Sequence, residues 1–257
     1  MKDQVHHSAA AGYKTGAEIY VRGRPDYPPQ VADWLTGTLG LHADKAVVDL
    51  GAGTGKFTGR LVATGAQVIA VEPVAQMLEK LSEAFPEVLA VSGTAMDLPL
   101  PDASVDVVIC AQAFHWFAST EALTEIARVL EPGGKLGLVW NQRDSRVSWV
   151  PKLDAIVNAL EGDTPRYYTG PWRQAFAHAA FGSLAEQRFS HGHIGSPEDV
   201  IFNRVRSTSF VAALPAEERA KVDEQIRAMI AAESDLRGRD VVTVPYETAA
   251  FVAVKGG

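Results

Sequence analysis

The 257-residue chain has a single cysteine, Cys110, so no intramolecular disulfide can form and a reducing compartment is the natural setting. Nothing in the sequence approaches the roughly 18 uninterrupted apolar residues that a membrane span requires. The opening MKDQVHHSAA also lacks the basic start and apolar core of a secretory signal. A cytoplasmic protein without a membrane partner is expected. Basic residues are in deficit: 24 Lys and Arg against 31 Asp and Glu leave a formal charge of -7. That balance opposes attraction to phosphate, and no Lys/Arg-rich run offsets it, so nucleic acid is not expected as a partner. Internal repeats and low-complexity tracts are absent too. The composition that remains, 47% hydrophobic and 21% charged, is that of an ordinary folded chain, long enough for one core or for a core with a lid.

Between Lys45 and Asn141 short β-branched apolar runs alternate with helical patterns, as in a parallel sheet wound with helices. Ala46 to Leu50, Gln67 to Val71 and Val88 to Val91 read as the first three strands. Val105 to Ala111 is nearly all apolar, as a central strand covered on both faces must be, and Cys110 falls inside it as a packing residue. Helices are expected over Lys56 to Thr64, over Val74 to Phe85 until Pro86 stops it, and from an N-cap at Ser119 through Leu130. Pro132-Gly133-Gly134 then turns the chain into a strand at Leu136 to Trp140. Beyond Trp140 the pattern is mainly helical: Trp149, Leu153, Ile156, Val157 and Leu160 share a face, and helices start at Ser196-Pro197 and Pro215. Glu247 to Lys255 is strand-like and able to return to the sheet. The expected division is an N-terminal helical cover over residues 1–40, a binding core over 41–145, a mainly helical substrate lid over 146–240, and a closing strand within 241–257.

The sharpest local signal is VVDLGAGTGKF, where a strand runs through Asp49 into Gly51, Gly53 and Gly55 and then a helix. Ligands bind at such strand-to-helix turns on the carboxyl edge of a parallel sheet, and residues without Cβ admit them closely. A dinucleotide fingerprint has Gly-x-Gly-x-x-Gly, whereas here the spacing is Gly-x-Gly-x-Gly with Lys56 in the third-glycine place. A carboxylate at Asp49 would repel a pyrophosphate but suits the ammonium of an amino acid. Glu72 ends the second strand, near the offset at which a carboxylate reaches ribose hydroxyls. The bland alternative is a tight glycine turn with Asp49 capping the helix.

Together with VIAVEPVAQML, GTAMDLPLPDASVDVVICAQAFHWF and ARVLEPGGKLGLVWN, this loop resembles the class I S-adenosylmethionine-dependent methyltransferases, in particular their small-molecule branch that includes the trans-aconitate methyltransferase-like enzymes. The resemblance implies an α/β, Rossmann-like doubly wound sheet of seven strands, mostly parallel with an antiparallel last strand, carrying a helical insertion as lid. It implies S-adenosylmethionine as cofactor, S-adenosylhomocysteine as product, and transfer of a methyl group to a small molecule, through oxygen of a carboxylate or hydroxyl. By matching motif positions, Asp49, Gly51, Ala52 and the backbone around Gly53 would hold the methionine part, Glu72 the ribose, and Pro73 and Met77 the adenine surroundings. Thr94, Ala95 and Met96 would run beside the adenine edge. Met96 stands where an acidic residue is frequent, so backbone groups or Asp97 are expected to read the adenine amine. Gln112 would contact the methionine moiety.

Methyl transfer from a sulfonium needs alignment and desolvation more than a protein nucleophile, and a carboxylate acceptor needs no base. A phenol, alcohol or amine has to lose a proton, and for that task His115, directly after the fourth strand, is the candidate general base; a structural histidine is the competing reading. Trp116 and Phe117 would wall an apolar pocket or pack beneath the next helix. Tyr20, Arg22, Arg24 and Tyr27 combine aromatic and cationic groups suited to a cover over an anion, and Arg143 is placed to meet a substrate carboxylate. His191 and His193 share a strand face but have no third ligand nearby, so no metal is expected. Two alternatives stay open: a nucleotide-linked oxidoreductase on a similar fold, and a cofactor-binding module without catalysis. The sequence leaves monomer and homodimer open.

Overall fold

The computed structural model describes residues 23–178 and 180–256. Five parallel strands form the sheet's first part: β1 (Ala46–Leu50), β2 (Gln67–Val71), β3 (Leu89–Val91), β4 (Val105–Ala111) and β5 (Leu130–Arg143). Two more, β6 (Ala185–Gly195) and β7 (Val242–Val254), complete the order β3-β2-β1-β4-β5-β7-β6. β7 is antiparallel to both its neighbours, so the last strand enters between β5 and β6 rather than at the edge. The expected seven-stranded α/β sheet with its antiparallel last strand is therefore present.

Alternation along the strands sends side chains to two faces. Val48, Leu50, Val108, Cys110, Leu138 and Trp140 build one core with Leu123 and Ile126 of α4 (Thr120–Val129). Val47, Val107, Ile109 and Val139 build the other. Their partners there are Trp34 and Leu35, in the π-helical turn Trp34–Thr38 that follows α1 (Gln30–Asp33), Leu61 of α2 (Thr58–Val62), and Leu81 of α3 (Ala75–Ala84). Ser119 caps α4 as its residue type suggests, its hydroxyl accepting from Ala122 N–H at 3.1 Å.

A third core lies outside the sheet. Trp149, Val150, Leu153 and Val157 of and beside α5 (Val150–Asn158) meet Val200, Ile201 and Phe202 of the π-helical turn Glu198–Asn203 and Val205 of α6 (Arg204–Arg206). Val211 of α7 (Ser209–Ala212) and Val222 and Ile226 of α8 (Ala216–Ala232) complete it, over Val244 and Tyr246 of β7. The stretch expected to be mainly helical thus also supplies β6. That strand is an edge with a largely exposed sequence, AEQRFSHGHIG, and shows neither hydrophobic period clearly. Among the described residues no helix is long and apolar enough to cross a membrane.

Candidate active site

β1, β2 and β4 end together at the carboxyl edge of the sheet, and a cavity of about 200 Å³ opens there. It is bordered by all eleven residues expected to touch a cofactor: Asp49, Gly51, Ala52, Gly53, Glu72, Pro73, Met77, Thr94, Ala95, Met96 and Gln112. Asp97 does not border it; it forms an antiparallel bridge with Thr94, and Thr94, Ala95 and Met96 line the cavity at that point.

Asp49 is fully buried. Its Oδ2 accepts from Thr58 Oγ1 at 2.7 Å, while Oδ1 is buried with no hydrogen-bond partner among the described residues. Burial pushes this carboxyl up to about 7, with the Thr58 hydroxyl opposing and the nearby Glu72 charge adding. Glu72 accepts from Gly53 N–H through Oε2 and from Val74 N–H through Oε1, each at 3.0 Å. Burial raises its pKa and those two N–H groups hold it back. Each oxygen keeps a further lone pair, so a diol can still be read.

Backbone shape explains the glycines. Gly51 has φ +73°, and a Cβ there would lie 2.7 Å from Cβ of Ala113. Gly53 has φ +59°, and the space where its Cβ would stand holds nothing nearer than the Met77 sulfur at 4.0 Å, which leaves room for a ligand against the backbone. Gly51→Ala is expected to combine left-handed strain with overlap and to cost about 2 kcal/mol or more, a fall in Tm of roughly 5 °C. Differential scanning fluorimetry checks it, and an unchanged midpoint speaks against the clash.

A second, larger cavity, of about 680 Å³, adjoins the first. Arg24, Gln112, Trp116, Asn141 and Arg204 border both. Gln112 is a non-glycine residue at φ +57° directly after β4, in a left-handed conformation that residues with a Cβ adopt uncommonly. His115 and Arg143 face the second cavity; Tyr27 and Phe117 face the first. Tyr20 and Arg22 lie outside the described residues.

The segment carrying Arg24 and Tyr27 is pinned over the glycine loop. Lys56 Nζ donates to Arg24 O at 2.7 Å, Arg60 Nη2 to Asp26 Oδ2 at 2.6 Å, and Asn141 Nδ2 to Asp26 O at 3.2 Å. Tyr27 packs edge-on against Phe57, ring centroids 4.8 Å apart.

Among the described residues the second cavity is bordered by six arginines, Arg24, Arg143, Arg146, Arg166, Arg188 and Arg204, against three carboxylates, Asp144, Asp154 and Glu247. Arg143, expected to meet a substrate, instead donates Nε to Asp154 Oδ1 at 2.7 Å, so its charge is already answered. Arg146 and Arg188 pair with Asp144 and Glu247. Arg204 has no such partner among the described residues: Nη1 donates to Thr208 Oγ1 at 3.1 Å, and Nε is buried and unbonded. Burial and the charges of Arg24, Arg143 and Arg166 push it down to about 9. Arg166 is lowered by burial as well, lies over the rings of Tyr168 and Phe210, and reaches Glu161 only at 4.0 Å.

Sequence reading missed Thr58, Lys56, Asn141, Arg166 and Arg204. Asn141 sits at the carboxyl end of β5 beside its named neighbours, and the strand-end rule alone would have found it. Arg166 and Arg204 belong to no motif. Among the described residues no group of three His, Cys, Asp or Glu could hold a metal ion.

A family model described as a methyltransferase domain matches residues 48–138, from β1 to β5. The chain is 38% identical over 244 residues, 95% of each protein, to an uncharacterized methyltransferase-like protein of Schizosaccharomyces pombe. It is 40% identical over 241 residues to an uncharacterized methyltransferase of Mycobacterium tuberculosis, covering 94% of this chain and 93% of the relative. The chain belongs to the class I S-adenosylmethionine-dependent methyltransferases. A putative type II methyltransferase from Anaeromyxobacter dehalogenans shares the fold with a TM-score of 0.60 at 23% identity, over 91% of this chain and 97% of that one. The site of the methyltransferase fits its cofactor on two counts: the orphaned Asp49 Oδ1 suits a cationic amino group, and the open side of Gly53 suits close contact with backbone.

Proposed function

We propose that this methyltransferase methylates an oxygen of a small anionic molecule, a carboxylate, held in the arginine-bordered cavity next to the cofactor. The observation that carries this reading is Arg204, a half-buried arginine whose Nε is buried and unbonded among the described residues, with three further arginines repelling it. An uncompensated buried cation is costly, and an anion entering beside it relieves that cost while gaining strong charge-assisted hydrogen bonds.

S-adenosylmethionine supplies an activated methyl carbon on a sulfonium. The residues of the chain have the remaining tasks. Asp49 holds the amino-acid end and Glu72 the ribose, fixing where the methyl group points. Gln112 and Asn141, at the ends of β4 and β5, separate cofactor from acceptor. Trp116, Phe117 and Tyr27 exclude water, and Arg204 with Arg166 draws the carboxylate into line. An ionised carboxylate attacks without losing a proton, so no general base is required.

The test is turnover on mono- and dicarboxylates, phenols and amines, with S-adenosylhomocysteine formation as readout. Carboxylates should react and amines should not; amine turnover alone sinks the proposal, and no turnover on any class favours a binding module. Glu72→Ala is expected to weaken S-adenosylhomocysteine binding by about 1 to 3 kcal/mol, since it strands the Gly53 and Val74 N–H groups as well as the ribose. Calorimetry measures it, and an unchanged Kd would mean that Glu72 does not touch the ligand.

A further inference from the structure

An indole N–H can only donate, so the ring nitrogen it meets must offer a lone pair. Trp140 Nε1 meets Nδ1 of His115 at 3.1 Å. A neutral imidazole with the Nδ1 lone pair committed in this way carries its proton on Nε2. Nε2 makes no hydrogen bond to the described residues, and His115 borders the arginine-rich cavity. The arrangement is rigid. Trp140 is fully buried in β5 and packed on the rings of Tyr167 and Trp172, each at 4.7 Å between centroids, and His115 lies against Trp116 at 5.1 Å.

The surroundings also oppose a second proton. Burial pushes His115 down to about 3, and the positive charges of Arg166 and Arg24, from either side of the cavity, add to it. Imidazolium would in addition set an Nδ1–H against the Trp140 N–H. The lone pair a base needs is therefore occupied, and the exposed end of the ring is a donor.

We propose that Trp140 locks His115 as a neutral hydrogen-bond donor whose Nε2–H reads an oxygen lone pair of the methyl acceptor, making His115 a specificity-determining residue and not a general base. The choice of an oxygen acceptor rests on the carboxylate reading above; the lock itself does not. Held so, one carboxylate oxygen is engaged by His115 while the other faces the methyl group. A protonated amine, with only N–H groups to present, meets a donor and a field of cations and is turned away.

Nitrogen NMR of the histidine-labelled full chain tests the lock directly, His115→Phe identifying its signals among the seven histidines. The expected result is an Nε2–H tautomer with no inflection between pH 5.5 and 8. An Nδ1–H tautomer, or a titration within that range, overturns the proposal. Trp140→Phe should free Nδ1 and bring a mixture of tautomers or a titration into view; an unaltered His115 in that variant also overturns it. In turnover of the best carboxylate, His115→Phe should raise KM about tenfold or more with a smaller change in kcat, and His115→Gln, which restores an N–H at similar reach but no titratable base, should recover most of the loss. Equal failure of both variants overturns the donor role. If the chain instead turns over amines alone while the NMR shows the Nε2–H form, the carboxylate reading has failed and the lock stands.

Discussion

Replacing Arg166 and Arg204 together by methionine is expected to lower kcat/KM for the carboxylate acceptor by about a hundred- to a thousandfold, two charge-assisted hydrogen bonds being worth roughly 3 to 4 kcal/mol. Methionine keeps most of the apolar stem, so the packing of Arg166 over Tyr168 and Phe210 is largely retained. The same variant should be more stable than the parent without ligand, because it deletes a guanidinium whose buried Nε is unbonded and which no carboxylate among the described residues answers. Loss of activity with a gain in Tm is the signature of a charge kept for binding. Arg166→Met alone is the control for the cofactor, since Arg166 borders only the second cavity; its Kd for S-adenosylhomocysteine should not move. Unchanged kcat/KM in the double variant would leave the arginine cavity without a part in acceptor binding.

The contrast between those arginines and Asp49 shows why one half of the site could be read from sequence and the other could not. Asp49 lies near the end of β1, and Gly51, Gly53 and Glu72 follow β-strands whose apolar runs are visible, so strand end plus residue type was enough to bring them to the border of the cavity. Gln112 follows β4 for the same reason. Arg204 opens a three-residue helix after a π-helical turn, and Arg166 lies in the irregular stretch before the 3₁₀ turn Pro171–His178. The segment of Arg166 has no hydrophobic period from which a facing direction could be inferred, and the helical pattern expected from Ser196-Pro197 does not tell which element Arg204 meets. These two side chains approach through the folding of the third core over β7, an association of elements distant in sequence that no local pattern encodes. Arg143 illustrates the converse: strand-end position placed it correctly at the cavity, yet the Asp154 that neutralises it comes from α5. Position along a strand foretells where a side chain arrives, while its partners decide what it can still bind.

Asp49→Asn is expected to weaken S-adenosylhomocysteine binding about ten- to a hundredfold and to abolish its dependence on pH. In the parent, the carboxyl is raised from 3.8 to about 7 by burial, with Thr58 facing it from α2 and Glu72 from the end of β2. Because the folded value lies above the unfolded one, Asp49 favours the native state fully below about pH 4. That contribution drains away as pH rises through 7, above which the free protein carries a buried, half-bonded carboxylate. The cofactor's ammonium selects that ionised form. Affinity in the parent should therefore fall as pH drops below 7, by about tenfold between pH 8 and 6, since a proton must leave before the ligand enters. His115, at about 3, contributes no titration in this interval. Calorimetric titration across that interval in parent and variant reads both effects at once. A parent affinity that stays level, or a variant that keeps the slope, would show that the orphaned oxygen of Asp49 does not await a cation.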